Sequence, residues 1–467
     1  MEIAVSRERL LFSCWTETGN RLWRVLNWHW NGQSLALHVS RNAGGEVALI
    51  ELIPRASAKS IAATIRAARQ SRCERLAQLA AGVQPETVIE RLALSRGTRP
   101  GQPGRHARIL LRSKHQRIAV TGPVVSGHVA VVDAFLSSAL LWFRRTSDRI
   151  NPPLVQQLWL IVSAELLKPM LYRLALLRDG LRDIIKLFTV DGELSSLTEV
   201  SCPNKDDLWK KKLARFPPVA AATISELAAA IVAEAPDAID VVHARHGETL
   251  RYFGLPFARV RSLLNTHNAW FGINRAHRRL LEGSSLNDWQ NLLRDLQEHR
   301  SAAALDHRHA LYRAAPEAWL ESLLRRDITM LDPGLIIAPL HAQFRTARGA
   351  KLGIRPIDLL ALRQDGRLVV IELKVSEDRE HVLQGADYWR RVEAHRRRGH
   401  IAKARLFGER AIRDEAPLVY LVAPTLRVHP AFQSLAQCIS PDIEIYRFDI
   451  NEDWRAGVRV MRRKKVN

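Results

Sequence analysis

Residues 368–375 read Leu368-Val369-Val370-Ile371-Glu372-Leu373-Lys374-Val375, and no other segment restricts the fold of this chain so tightly. The run has the apolar, β-branched character of a buried strand. It nevertheless carries an acid and a base two residues apart, and alternation along a strand turns both to the same face. Burying a carboxylate and an ammonium costs several kcal/mol per ion unless the two are paired or bind a metal. The run is therefore a core element and a candidate site at once.

Three neighbouring segments carry residues that suit the same site. Ile357-Asp358-Leu359-Leu360 reads as an adjacent strand with one acid, and residues 335–339 as another strand before it. Residues 380–398 read as a helix on which Gln384 and Tyr388 stand four apart, so an amide and a phenol project together. Upstream, Pro316 opens a helix in its first turn, placing Glu317 and Glu321 on one face. Either acid could join the strand carboxylates. Glu321 shares the apolar register of Leu320, Leu323 and Leu324 and is the better candidate to face inward. Taken one at a time, the two acids read as a solvated helix face, and Gln384 and Tyr388 as helix surface and core.

Taken together they suit phosphodiester hydrolysis, which needs a nucleophilic water, stabilisation of charge on the phosphoryl oxygens and help for the leaving oxygen. A hard divalent cation can supply all three. Mg²⁺, with Mn²⁺ as the alternative, takes oxygen ligands and keeps several waters. Asp358 and Glu372 are the matching carboxylates, and the backbone carbonyl of Leu373 is a natural third ligand. Lys374 would hold the attacking water or neutralise phosphate as a point charge. Arg390 and Arg391, one turn after Gln384 and Tyr388, extend the set of candidate substrate contacts.

Charge points to the same class of partner. With 70 Lys+Arg against 48 Asp+Glu, the formal net charge of +22 favours a polyanion, most often nucleic acid. An arginine-rich proteome would also produce such a balance. The four cysteines, Cys14, Cys73, Cys202 and Cys438, lie far apart with no C-x-x-C pair, so neither a zinc site nor a disulfide framework is indicated. No apolar run is long enough to span a membrane and none opens the chain. A cytoplasmic protein without a membrane partner is expected. There is no G-x-x-x-x-G-K-[ST] loop, no H-E-x-x-H helix and no G-x-S-x-G elbow. ATP-driven movement would therefore need a separate helicase, and a homodimer is the other assembly considered.

The chain divides into four segments. Residues 1–57 alternate as a small β-meander, with Asn42-Ala43-Gly44-Gly45 between strands. Residues 58–200 read as α/β: a helix to about residue 80, a hairpin over 107–111 and 117–121, then helix, strand, helix and strand. Residues 201–310 read as a mostly helical linker, with Pro203, Pro217, Pro218 and a lysine cluster at 210–212, and a hairpin over 239–260. Residues 311–467 carry the candidate site. Placed without gaps at an offset of 250, residues 107–124 lie over 357–374, matching Leu110, Arg117 and Val120 to Leu360, Arg367 and Val370. A repeat is thereby suggested, in which Arg108 replaces Asp358, Gly122 replaces Glu372 and Val124 replaces Lys374, leaving a copy without catalytic residues that could still bind nucleic acid.

The ordered set Glu321 or Glu317, Asp358, Glu372-Leu373-Lys374 and Gln384-x-x-x-Tyr388 resembles the PD-(D/E)XK nuclease superfamily, and within it the RecB-like branch. The resemblance covers about residues 311–450. It implies a restriction-endonuclease-like mixed sheet flanked by helices, Mg²⁺ or Mn²⁺ on the Asp and Glu positions, water activation by the Lys position and substrate contacts from the Gln and Tyr positions. In place of the family's Pro-Asp, Ile357 precedes Asp358, with Pro356 one place earlier. The expectation is a metal-dependent deoxyribonuclease whose upstream segments select substrate. The competing expectation is a non-catalytic or partner-gated nucleic-acid-binding protein of repair or defence.

Overall fold

The computed structural model describes the chain apart from residue 1 and the stretches 7–8, 17–18, 31–33, 42–45, 53–57, 98–102, 115, 126–131, 149–153, 192–193, 203–205, 211–212, 217–222, 245–246, 264–265, 275–277 and 347–355. The turn at 42–45, the prolines 203, 217 and 218 and the lysines 211 and 212 lie outside the described residues. The architecture is mixed α/β with four multi-stranded sheets, one in each of the four segments. Among the described residues no helix is long and apolar enough to cross a membrane.

The first sheet is an antiparallel meander of β1 (Glu2–Ser6), β2 (Arg9–Thr16), β3 (Gly19–Trp30), β4 (Leu35–Arg41) and β5 (Glu46–Leu52). Alternation buries Phe12, Trp23, Val25, Leu37 and Val39 on one face, while Trp28 and Trp30 are exposed.

The second unit runs α1 (Ala58–Val83), β6 (Val88–Arg96), β7 (Pro103–Arg112), β8 (Arg117–Pro123), α2 (Val132–Ser147), β9 (Val155–Ser163), α3 (Ala164–Leu174), α4 (Asp179–Arg182), β10 (Ile185–Val190) and β11 (Leu197–Val200). Its strands lie in sequence order across one sheet.

After α5 (Asp207–Lys210) and α6 (Glu226–Ala233), the third sheet comprises β12 (Ile239–Ala244), β13 (Gly247–Tyr252), β14 (Leu255–Leu263), β15 (Thr266–Phe271) and β16 (Arg279–Leu280). α7 (Leu286–His299) covers it with Trp289, Leu293 and Leu296. The expectation of a mostly helical segment with one hairpin is thus corrected to a five-stranded sheet. β12, β13 and most of β14 fall within the hairpin expected over 239–260, while β15 and β16 lie beyond it.

The fourth unit runs α8 (Ala310–Arg313), α9 (Pro316–Arg326), β17 (His341–Phe344), β18 (Ile357–Leu362), β19 (Leu368–Leu373), α10 (His381–Arg396), α11 (His400–Lys403), β20 (Leu418–Pro424), α12 (Phe432–Ala436), β21 (Ile445–Ile450) and β22 (Val460–Lys465). The strand expected at 335–339 begins instead at His341, past Pro339, whose nitrogen has no proton to give a ladder.

The second and fourth sheets share one plan. In each, six strands in sequence order pair antiparallel, antiparallel, parallel, parallel and antiparallel. Their registers also coincide: the row Leu110, Ala119, Leu158, Ile185 in one corresponds to Leu360, Val370, Val419, Ile445 in the other. The ungapped offset is corrected at one point. The β7–β8 turn joins Arg112 to Arg117, while the β18–β19 turn joins Leu362 to Leu368 and is one residue longer. Thr121 and Pro123, not Gly122 and Val124, therefore stand at the positions of Glu372 and Lys374.

The two units meet through their helices. Phe135, Leu136, Leu166 and Met170 of α2 and α3 form one core with Leu383, Ala386, Leu435 and Ile439 of the fourth unit. Beyond α3 and α12, matching loops exchange backbone bonds: Arg178 N–H donates to the Cys438 carbonyl at 3.0 Å and Ser440 N–H to the Leu176 carbonyl at 2.9 Å. Such reciprocal contacts are those of a two-fold interface, here built within one chain. Arg173 of α3 spans the joint, 2.9 Å from Asp133 of α2 and 3.2 Å from Asp387 of α10.

Candidate active site

The site lies where β18 and β19 stop pairing. Their last paired residues are Leu359 and Ile371, so Asp358 and Glu372 are the next positions along. There Asp358 Oδ2 accepts the Leu373 N–H at 2.9 Å, and a side chain replaces the neighbouring strand as partner. β17 keeps its register through this level, Ala342 pairing with Leu359 and Phe344 with Ile357, which sets Gln343 opposite Asp358. Gln343 between them holds φ at +49°, the left-handed region that a side chain rarely adopts. Such strain persists only where its surroundings enforce it, and here it turns the Gln343 amide into the site. Its nitrogen donates to Glu321 Oε2 at 2.6 Å and reaches Asp358 Oδ1 at 3.5 Å.

Glu372 is 2% exposed. Lys374 Nζ donates to its Oε1 at 2.6 Å, while Oε2 is buried with no hydrogen-bond partner among the described residues. Burial, then the neighbouring Asp358 carboxylate, pushes the Glu372 carboxyl well above its usual range. Burial alone would lower the Lys374 ammonium, but Glu372, Glu317 and Asp358 outweigh it and hold the lysine charged. The two directions are compatible because several carboxylates face one ammonium: a proton retained among the acids relieves their repulsion and still leaves net negative charge around the lysine.

Helix α9 brings both of its acids. Glu321 is buried beside Asp358, with Gln343 on one oxygen and Arg251 of β13 3.4 Å from the other. Glu317 stands nearer solvent on the Lys374 side and accepts the Val375 N–H. Burial is the first cause raising each carboxyl, with Asp358 adding to it. The helix is seated by Arg300, fully buried over the Trp319 ring, which donates to the carbonyls of Tyr252, Phe253, Leu311 and Ala314 at 2.7–2.9 Å. Phe253 stacks on Trp319, with ring centroids 5.2 Å apart.

Helix α10 supplies Gln384 and Tyr388, both buried. Gln384 Oε1 has no hydrogen-bond partner among the described residues, and its nitrogen is 3.4 Å from Glu380 Oε2. Burial, then Glu372 and Asp358, keeps the Tyr388 phenol protonated. Arg391 stacks over the Tyr388 ring and donates to Thr346 Oγ1 at 2.7 Å. Arg390 is held by Asp387 and lies 4.2 Å from the Tyr172 ring, within the joint between the two units. The pair thus sits in packing, with Arg391 next to the site and Arg390 at the joint.

Four neighbours were not anticipated from sequence. His381 stands 3.2 Å from the Glu372 carbonyl, kept neutral because burial, then Lys374, lowers it to about 3. It precedes Gln384 by one helical turn, a spacing that a reading of α10 could have flagged. Asp378 lies 3.8 Å from Lys374. Gln343 and Arg251 arrive from other elements and carry no local signal.

The donors suit a hard cation: Asp358 and Glu372 offer oxygen, and a buried carboxylate oxygen is left unbonded. Among the described residues no three His, Cys, Asp or Glu side chains converge as a closed metal cluster. Asp358 and Glu372 come together as a pair, with the Gln343 amide between Asp358 and Glu321. Comparison with protein families, curated proteins and solved structures finds no match to this chain.

Proposed function

We propose that the chain is a metal-dependent nuclease of the PD-(D/E)XK type, hydrolysing phosphodiester bonds in DNA. The observation that carries this reading is the buried Glu372–Lys374 pair beside Asp358, with one carboxylate oxygen unbonded. Mg²⁺ or Mn²⁺, when bound, would supply charge stabilisation and an activated water. Asp358 and Glu372 would hold it, with the Leu373 carbonyl and one acid of α9 completing the oxygen set. Lys374 places a fixed positive charge where a scissile phosphate or its attacking water must sit. Tyr388, held as a neutral phenol, presents a hydrogen-bonding group beside the carboxylates, and Gln384, one turn before it on α10, would supply an amide. The net charge of +22 draws a polyanion towards them.

One observation favours a conditional enzyme. Both oxygens of Glu321 are engaged, by Gln343 and by Arg251 of the third sheet. Recruiting that acid requires Arg251 to yield, and substrate or a partner docking on the third sheet would provide the occasion.

The test incubates the purified chain with linear, circular, single-stranded and branched DNA in Mg²⁺, Mn²⁺ or EDTA. Cleavage is expected with either metal and none with EDTA, and Lys374→Ala and Glu372→Gln should each reduce the rate by roughly a hundredfold or more. Cleavage that survives in both variants would remove this site from the reaction, and binding without cleavage on every substrate would favour the non-catalytic reading.

A further inference from the structure

The upstream unit repeats the strand register of the candidate site but inverts its charge. Where Asp358 and Glu372 stand in the fourth sheet, the second sheet pairs Arg108 with Thr121. β7 and β8 contain no acidic residue. The Thr121 hydroxyl is satisfied by the Ala107 carbonyl at 2.8 Å, and the only acid of α2, Asp133, is bound by Arg173. The helix relation is repeated as well. Ser138 and Trp142, four apart on α2, flank the Arg108 guanidinium at 3.4 Å and 5.9 Å, as Tyr388 of α10 stands by the Glu372 and Asp358 carboxylates. Arg105, three residues before Arg108 and so on the opposite face of β7, is exposed on the side of α1, where Arg69 donates to the carbonyl of Gly104. His106, buried against Phe135, is held neutral at about 4 by burial, then by Arg108 and Arg105.

Helix α2 ties this basic position to the loop that leaves the candidate active site. Ser138 contacts Arg108, while its neighbour Ser137 donates to the Arg379 carbonyl at 3.3 Å, in the loop that leads from Lys374 to α10. Successive residues of one helix thus link the two, across the joint whose reciprocal contacts relate the two units.

We propose that Arg108 forms a phosphate-binding site for the second strand of a DNA duplex whose first strand lies at Asp358, Glu372 and Lys374; this rests on the nucleic-acid part of the reading above. A duplex relates its two strands by local two-fold axes, and a protein with matching internal symmetry meets equivalent phosphates with equivalent positions. Here one position carries acids and the other arginine.

The test measures binding, not cleavage. The full chain and its Arg108→Gln, Arg105→Gln and Lys374→Ala variants are titrated in EDTA against a labelled duplex of about 30 base pairs and the matching single strand, across a salt series, with circular dichroism confirming the fold. Arg108→Gln should bind duplex roughly tenfold or more weakly, and the slope of log affinity against log salt should fall by about 0.9 per lost phosphate contact. Single-strand binding should fall less, and Arg105→Gln, on the opposite face of β7, and Lys374→Ala should each lose less duplex affinity. Wild-type affinity and slope in Arg108→Gln, or an equal loss in Arg105→Gln, would overturn the site, and an equal loss on single strand and duplex would overturn its assignment to the second strand. Failure of wild type to cleave in Mg²⁺ would count against the nuclease reading and leave this measurement standing.

Discussion

At the scale of single residues, a carboxyl as buried as Glu372 persists only by keeping a proton, pairing with a base or binding a cation. Lys374 pairs with one oxygen and leaves the other unbonded. That acid and base were legible because a β-branched run is a poor place for them. Arg251 and Gln343 were not, because a side chain arriving from another element leaves no spacing to read. A second buried group yields a prediction at this scale. His395 lies 3.0 Å from the Thr346 carbonyl and 3.1 Å from His400, and burial, the largest cause, lowers it to about 4 from 6.5. The folded protein therefore takes up this proton at lower pH than the unfolded chain. The stability involved is complete above about 6.5 and is lost as pH falls from there towards 4. His395→Gln should flatten that fall, measured as the urea midpoint at pH 7 and pH 5. An undiminished fall in the variant would exclude His395 as its source and pass the effect to the other lowered histidines, His106, His341, His381, His400 and His429.

At the scale of elements, α10 serves two purposes. Tyr388 and Val392 pack under the fourth sheet, and Leu383, Ala386 and Trp389 pack against the upstream unit. Gly385 permits the close approach, since a Cβ there would stand 2.6 Å from a Leu421 methyl. Between the units, Arg173 faces Asp133 and Asp387, both buried, so its removal leaves two acids short of a partner. Arg173→Ala should destabilise the protein by about 3–5 kcal/mol, seen as a shift of the denaturation midpoint followed by tryptophan fluorescence. A shift below about 1 kcal/mol would mean that Arg390 and Arg391 suffice for Asp387. Most elements of both α/β units could be anticipated from apolar runs. β22 could not, because Met461-Arg462-Arg463-Lys464-Lys465 reads as a basic tail, and only Val466 beside it is buried. β15 was missed for a different reason, since Thr266-His267-Asn268 opens it with three polar residues.

At the scale of the whole molecule, two units of equal topology face each other within one chain, and only one carries the acid pair. If the upstream unit holds the opposite strand, each binding event should cut one strand. Supercoiled plasmid with Mg²⁺ should then pass through open circles before linear DNA appears, and Lys374→Ala should make neither. Linear product that forms as fast as open circles on an agarose time course would contradict a single cutting site. The shared topology was only suggested in sequence, because the matches were three apolar or basic residues and a one-residue difference in turn length shifted the alignment onto the wrong face of β8.

What the sequence by itself determined was local: strands and helices whose periodicity is written in adjacent residues, an acid and base on one face of a buried strand, an amide and phenol one helical turn apart, and a charge balance that favours polyanions. The tertiary structure alone decided which residues meet. It brought Arg251 to Glu321 and Gln343 between Glu321 and Asp358, and it placed Arg108 at the counterpart of Asp358 beside the same helix joint. The physical reason is that neighbours along an element are set by backbone geometry, whereas contacts between elements depend on how whole faces bury one another.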